Sequence, residues 1–332
     1  AGFIGSHVAD AYLNRGDQVW VVDDLSSGRR ENLPAQATFL EADIGSAQVR
    51  DLIRDVRPHV INNHAAQIDV RISVDDPRRD ARINVDGFLN LAEGAKEVGT
   101  QRFIYVSSGG VVYGEPEVRP TPEMTAKQPL SPYGVTKLSG EYYLNYYREI
   151  HGLGYAALRY SNVYGPRQDP HGEAGVVAIF CNRLLAEQGI TIFGDGEQTR
   201  DYVFVKDVVA ANLLVSDLHL EEGTGLDSVA FNVGTGVETS VNRLADILEG
   251  VAGRRPGRDY RSARPGELRN SCLDAELSRQ DARLDAAYET ALGGVAGDNE
   301  SRLRSAQRQW IKYRDASCDF IGSLTGGTVD SI

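Results

Sequence analysis

Along about two-thirds of the chain, short apolar runs ending in polar residues alternate with stretches whose apolar positions recur every three or four residues. The short runs predict strands at 18–22, 38–40, 59–62, 103–107 and 155–160, and the helical spacing predicts helices at 8–15, 49–56, 81–98 and 132–151. That alternation describes an α/β fold with a doubly wound parallel sheet covered on both faces. Beyond residue 165 the pattern loosens into segments punctuated by Gly and Pro, with short strands at 191–193, 202–205 and 229–232. It suits a smaller substrate lobe, drawn mainly from 165–200 and 237–270, laid over the carboxyl ends of the strands.

A different pattern begins near residue 270. Two amphipathic helices follow, one carrying Leu277, Leu284, Tyr288 and Leu292, the other Leu303, Trp310, Tyr313, Phe320 and Leu324. A glycine-rich turn at 293–299 separates them, with Asp298 or Asn299 placed to cap the second helix. The chain therefore reads as a body at 1–270 and a helical hairpin at 271–332. Cys272 lies 21 residues before Gly293 and Cys318 lies 19 after Asn299. At about 1.5 Å per residue an antiparallel hairpin brings the two level, so they are disulfide candidates in an oxidising compartment and buried thiols in a reducing one.

Composition narrows the chemistry. A net charge of -12 argues against a nucleic-acid surface and against an anionic membrane. No run reaches the length of an apolar span. With three cysteines and no Cys-x-x-Cys or His/Cys cluster, neither a disulfide scaffold nor a metal site is expected.

The chain opens Ala1-Gly2-Phe3-Ile4-Gly5 directly before a predicted helix. Such a Gly-x-x-Gly step is the second half of a dinucleotide-binding turn, in which backbone N–H groups meet a pyrophosphate at a helix N-terminus. The strand expected ahead of it is missing, which bares the edges of both neighbouring strands and removes half the cradle. Asp23 ends a strand about 20 residues on, where a carboxylate accepts the adenosine ribose hydroxyls and repels a 2′-phosphate; NAD is thereby favoured over NADP. A packing turn at Gly2 and a helix cap at Asp23 are the structural alternative. Farther along, Ser107-Ser108-Gly109-Gly110 closes a strand and Tyr133-Gly134-Val135-Thr136-Lys137 opens a helix. Tyr133 and Lys137 then share one helix face, where an ammonium should lower the phenol toward working pH and make it an acid/base for a sugar hydroxyl.

These motifs, with Val21 to Gly28, Glu41 to Ile44, His64 to Val74, Arg159 to Gln168, Asp195 to Val205, Asn232 to Gly236 and Arg264 to Glu267, make residues 1 to about 270 resemble the extended short-chain dehydrogenase/reductases. The likeness is strongest to NAD-dependent nucleotide-sugar epimerases of the UDP-glucose 4-epimerase type. It implies a Rossmann-type cytoplasmic isomerase of galactose metabolism in which Tyr133 takes the O4 proton of a UDP-hexose. NAD removes and returns the C4 hydride through a 4-keto sugar. Gly2, Phe3, Ile4 and Gly5 would hold the pyrophosphate and Asp23 the ribose, while Asp43 and Ile44 edge the adenine. Ala65, Ala66, Gln67, Asn84 and Ser107 would line the cofactor path, with Tyr133 and Lys137 at its nicotinamide end. Asn162, Arg200 and Arg264 would contact the nucleotide-sugar, and Ser271 falls where the family gates N-acetyl sugars. His64 and Cys181 read as structural, and Arg167 stays undecided. The family's Ser or Thr near the tyrosine is replaced by Gly109, which leaves Ser108 as the nearby hydroxyl. A nucleotide-sugar dehydratase is disfavoured, because no Asp-Glu pair follows the strand end.

The tail resembles LprI-type lysozyme inhibitors, through 271–288 and the Gln307 to Cys318 string. That family is usually periplasmic or exported; this chain shows no signal peptide, and both resemblances stop short of their full patterns. The implied partners are a UDP-hexose, a second copy in a homodimer, and lysozyme for the tail. Two other readings remain open: an exported inhibitor with an incidental body, and a fusion without integrated function.

Overall fold

The structure, a computed structural model, describes residues 1–170, 175–218, 225–263 and 269–273. The chain separates into two compact units, Ala1–Glu276 and Leu277–Ile332, a few residues beyond the boundary read near 270. The predicted hairpin with Cys318 lies outside the described residues, as does Arg264.

Helix α1 (Phe3–Arg15) starts at the third residue and stops at Gly16, whose φ of 99° is open to a residue without a Cβ. Strands β1 (Trp20–Asp23) and β2 (Thr38–Glu41), helix α2 (Ala47–Val56) and strand β3 (Val60–Asn63) follow. Asp69 and Asp76 cap the short helices α3 (Val70–Asp75) and α4 (Pro77–Ala81) by accepting backbone N–H groups of Arg71, Ile72 and Arg79. The helix expected over 81–98 is not one α-helix: Arg82–Gly87 is a π turn, and α5 (Phe88–Val98) resumes beyond it. The wider turn buries Asn84, and Gly87 is needed because a Cβ there would lie 2.9 Å from Ile44 Cγ1.

Strand β4 (Arg102–Ser108), helix α6 (Gly109–Val112), helix α7 (Pro132–His151) and strand β5 (Tyr155–Tyr160) complete the central layer. Ser131 caps α7 by accepting from Gly134 N, and Pro132 occupies its first turn. The remaining elements are β6 (Asn162–Tyr164), α8 (Val176–Leu185), β7 (Ile190–Phe193), β8 (Thr199–Arg200), β9 (Tyr202–Phe204), α9 (Val205–Asp217), β10 (Ala230–Val233), β11 (Thr239–Ser240), α10 (Val241–Ala252), β12 (Arg258–Arg261) and β13 (Asn270–Ser271).

Parallel strands β3, β4, β5 and β10 form one sheet in the order β10-β5-β4-β3, and β1 pairs with β2 in a separate parallel sheet. In a doubly wound sheet of order 3-2-1-4-5-6 one strand stands between these two groups. Here that position is open: residues 19–23 and 59–63 face a common cavity as strand edges without a neighbour among the described residues. The main core lies between the four-stranded sheet and α2, α5 and α7, with Phe88, Phe103, Tyr105, Leu144 and Tyr155 at its centre. A second core of Phe180, Leu184, Ile190, Ile192, Val241 and Leu244 joins α8, β7 and α10. Segment 269–273 is built into the first unit, since β13 pairs with β8 and Leu273 bridges Thr121. Among the described residues no helix is long and apolar enough to cross a membrane, and no cluster of His, Cys, Asp and Glu could hold a metal.

Candidate active site

A cavity of about 1830 Å³ runs from the opening between β1 and β3 to the carboxyl ends of the strands. Its wall includes Gly2, Phe3, Ile4, Gly5, Asp23, Asp43, Ile44, Ala65, Ala66, Gln67, Ser107, Ser108, Tyr133, Lys137, Asn162 and Arg200. The predicted site residues within the described region therefore converge, apart from Asn84, which stands one layer behind. Asn84 Oδ1 accepts from Gln67 N at 2.8 Å and its amide donates to Gln67 O at 2.9 Å, so it shapes the wall through Gln67.

At the nucleotide end, a Cβ built on Gly2 would touch no heavy atom within 4 Å. The turn thus leaves open space beside the N-terminus of α1, where an anionic group is favoured. Asp23 sits at the tip of β1, accepting from Leu25 N at 2.8 Å and pairing with the Ala1 ammonium at 2.9 Å. Gly28 lets the chain pass close to that carboxylate, since a Cβ there would meet Asp23 Oδ1 at 2.5 Å. Asp43 turns the chain after β2 by accepting from Gly45 N, and Ile44 is buried beside it. These groups fit a dinucleotide whose ribose is held by a carboxylate.

At the chemical end, Tyr133 and Lys137 project from the first turns of α7 and both are buried. Lys137 Nζ donates to Val106 O at 2.9 Å and lies 5.8 Å from the Tyr133 ring centroid. Burial pulls Lys137 down to about 8, against which Asp80 and Glu141 act as negative charges. The expected lowering of Tyr133 by its lysine does not dominate: burial holds the phenol well above its ordinary value, Asp80 adds to that rise, and only a hydrogen bond with Ser108 opposes it. In a closed apolar wall the cost of desolvating a phenolate outweighs that hydrogen bond. Ser108, on the same cavity wall, is thus the neighbouring hydroxyl that favours the phenolate. Position 109 has no room for one, because a Cβ on Gly109 would lie 2.6 Å from Leu273 Cδ2.

Behind this pair is a buried polar layer that the sequence did not disclose. Glu141 accepts from Ser107 Oγ at 2.5 Å and from Arg159 Nη2 at 2.6 Å. Arg159 also reaches Asp227 at 2.7 Å and Tyr113 at 2.9 Å. Asp80 accepts from Thr136 Oγ1 at 2.7 Å, Gln67 Nε2 at 2.9 Å and Asn84 Nδ2 at 3.1 Å. The signals were faint: Asp80 stands one helical turn before Asn84, and Thr136 lies inside the Tyr-x-x-x-Lys step.

On the substrate side, Asn162 N donates to Asp201 O at 2.9 Å, while the buried Asp201 carboxylate gathers Thr235 N, Thr235 Oγ1 and Gly236 N. Arg200 Nη1 donates to Thr199 O at 2.8 Å. Arg167, undecided from sequence, pairs with Asp10 at 2.7 Å and donates to Ser6 Oγ, so it ties its loop to α1. His64 is held neutral, down to about 3, chiefly by burial and then by Lys137. Cys181 is half-buried on α8 and Cys272 is buried beside Leu273.

A Rossmann-type parallel sheet, a Gly-x-x-Gly turn at a helix start, an aspartate at the tip of β1 and a buried Tyr-Lys pair are the arrangement of a nucleotide-cofactor enzyme of the short-chain dehydrogenase/reductase type. Residues 1–234 match the NAD dependent epimerase/dehydratase family, and residues 262–332 match the lysozyme inhibitor LprI. The chain belongs to the NAD-dependent epimerase/dehydratase family, and NAD is its cofactor. It is similar to a UDP-glucose 4-epimerase of Mycolicibacterium smegmatis, with 47% identity across 84% of this chain and 89% of the relative. Among solved structures it is similar to the UDP-glucose 4-epimerase of Thermotoga maritima with UDP-glucose, at 47% identity and a TM-score of 0.79, covering 84% of this chain and 89% of the other. The Thermus thermophilus UDP-glucose 4-epimerase in complex with NAD has 39% identity and a TM-score of 0.79, with 85% and 90% covered.

Proposed function

We propose that the body of this chain epimerises a UDP-hexose at C4. The observation that carries the reading is the buried Tyr133–Lys137 pair on α7, on the same cavity wall as Ser108 at the end of β4 and as Gly2, Asp23, Asn162 and Arg200. Bound NAD supplies the oxidising nicotinamide that takes the sugar's C4 hydride and gives it back. Gly2 to Gly5 hold the pyrophosphate with backbone N–H groups, and Asp23 accepts the adenosine ribose hydroxyls. Lys137 orients the second ribose and stabilises negative charge on Tyr133. Tyr133 holds the proton exchanged with O4, and Ser108 fixes the phenol oxygen. Asn162 contacts the nucleotide-sugar, and Arg200 and Arg264 grip its diphosphate, a task suited to guanidinium forks. Ser271 lines the cavity with a small side chain, which admits an N-acetyl group at C2.

Two further parts of the reading concern assembly. A stripe on α7 exposes Val135, Tyr142, Tyr143, Tyr146 and Ile150, and it suits a homodimer packed helix to helix. The division into a 1–270 catalytic body and a 271–332 module with lysozyme as partner rests on the LprI match, which also favours the second reading of the chain as an exported inhibitor. Incubation with UDP-galactose and NAD separates the readings: appearance of UDP-glucose supports the epimerase, whereas inhibition of lysozyme with no sugar conversion supports the second.

A further inference from the structure

We propose that Asp80 is a positioning residue of this active site: its buried carboxylate clamps Thr136, Asn84 and Gln67 behind Tyr133 and faces Lys137 as its counter-charge. The inference rests on the reading of Tyr133 and Lys137 as the reactive pair.

Asp80 is fully buried, yet its hydrogen-bond donors are all neutral: Gln67 Nε2 at 2.9 Å, Asn84 Nδ2 at 3.1 Å and Thr136 Oγ1 at 2.7 Å. Among the described residues it makes no ion pair. A carboxylate withdrawn from water without a cation is costly, and such a group persists where another buried charge compensates it. Lys137, next to Thr136 on α7, feels Asp80 as a negative charge that opposes the effect of its burial. The groups that face its ammonium are Tyr133 and Glu141 from α7, the Tyr105 ring at 5.3 Å and Val106 O from β4, His64 after β3, and Asp80 from α4. Of these, His64 is neutral, and Glu141 is paired with Arg159. Asp80 is the carboxylate among them with no arginine partner among the described residues. Its contacts also knit four segments together, since α4, the π turn, the loop after β3 and α7 each contribute one member of the cluster. Thr136 lies between Tyr133 and Lys137 on α7 and also hydrogen-bonds Tyr133 O at 3.0 Å, so the clamp fixes the turn carrying both reactive side chains.

The test follows the ionisation of Lys137 in the full chain by NMR of 13Cε-labelled lysine, which needs no turnover. Asp80→Asn keeps the shape and removes the charge, so the Lys137 midpoint should fall by about one pH unit. Thr136→Val cuts one clamp contact with the charge retained and should leave the midpoint within about 0.3 unit, although it lowers kcat. Asp80→Glu should restore the midpoint. If Asp80→Asn does not fold, the wild-type chain suffices: the 13Cγ resonance of Asp80 should inflect at the Lys137 midpoint. An unmoved midpoint in Asp80→Asn, or an Asp80 resonance blind to that titration, overturns the proposal. A shifted midpoint in a chain that converts no UDP-sugar would leave Asp80 in this role and remove the functional reading instead.

Discussion

Replacing Gly109 by Ser would place a hydroxyl where the family has one, and the structure predicts that this chain will resist it. A Cβ at 109 falls 2.6 Å from Leu273 Cδ2, far inside ordinary contact, so Leu273 must move. Leu273 is almost fully buried against Val112 and Tyr113, and its backbone N–H is drawn toward Asp201, which leaves it little freedom. Overpacking of that kind costs roughly 1–3 kcal/mol. Leu273→Ala alone should cost roughly 2–5 kcal/mol through lost burial and the cavity left behind. In the double variant each change relieves the other, so the summed single costs should exceed the double cost by about 1–2 kcal/mol, within the range for residues in contact. Urea unfolding of the four proteins, at equal m-values, measures this coupling. Additivity within about 0.3 kcal/mol would refute the argument, and would mean that Leu273 does not occupy the space beside Gly109.

Other expectations follow from the same geometry. Tyr133→Phe should reduce turnover by a factor on the order of 10², and Ser108→Ala should raise the phenol further and move the acidic limb of the kcat profile, where rate rises with pH, to higher pH; an unmoved limb would separate Ser108 from Tyr133. Glu141→Gln removes one of the two carboxylates that hold the buried Arg159 guanidinium and should cost about 1–3 kcal/mol in urea unfolding, against near-neutrality if the pair were solvated. His64 has a folded pKa depressed to about 3, so between pH 6.5 and 3 the unfolded chain binds a proton that the folded chain refuses. Stability should therefore fall with falling pH by up to about 1.4 kcal/mol per unit across that window, and His64→Leu should flatten the slope. Joining an apolar strand ending in Thr-Gly-Gly ahead of Ala1 should fill the opening between β1 and β3 and tighten NAD; calorimetry showing equal affinity would contradict the account of the cradle.

The periodic parts of the fold were legible because each central strand is a short apolar run bounded by polar residues, and because α7 carries an unbroken helical spacing. Helices α8, α9 and α10 escaped notice. In α9 the reason is local: Val205 follows Phe204 without a turn residue, so strand and helix merge into one apolar stretch. The π turn was hidden for a related reason, because Arg82–Gly87 keeps a helical pattern while adding a residue to the turn. At the site, Tyr133, Lys137 and Asp23 were singled out by their spacing within a Rossmann-like context, and the structure sets all three on the cavity wall. Asp80, Glu141 and Arg159 could not be read that way, since a charged residue on a helix or strand looks solvated until the partners that bury it are known. The direction of the Tyr133 shift failed likewise: sequence supplies the neighbouring lysine but not the depth of burial that outweighs it. Leu273, which determines why position 109 is glycine, touches it only through the tertiary fold.

The central claim is that Tyr133, served by Ser108 and Lys137, exchanges the O4 proton of a UDP-hexose. Proton NMR of the anomeric region tests it, with UDP-galactose and NAD added to the chain, to the chain carrying the added strand, and to the Tyr133→Phe variant of the latter. The account predicts UDP-glucose accumulating to equilibrium with no net NADH, fastest in the strand-extended chain and about 10²-fold slower without the phenol hydroxyl. Absence of conversion in both the chain and its extended form, or equal rates with and without that hydroxyl, would contradict it.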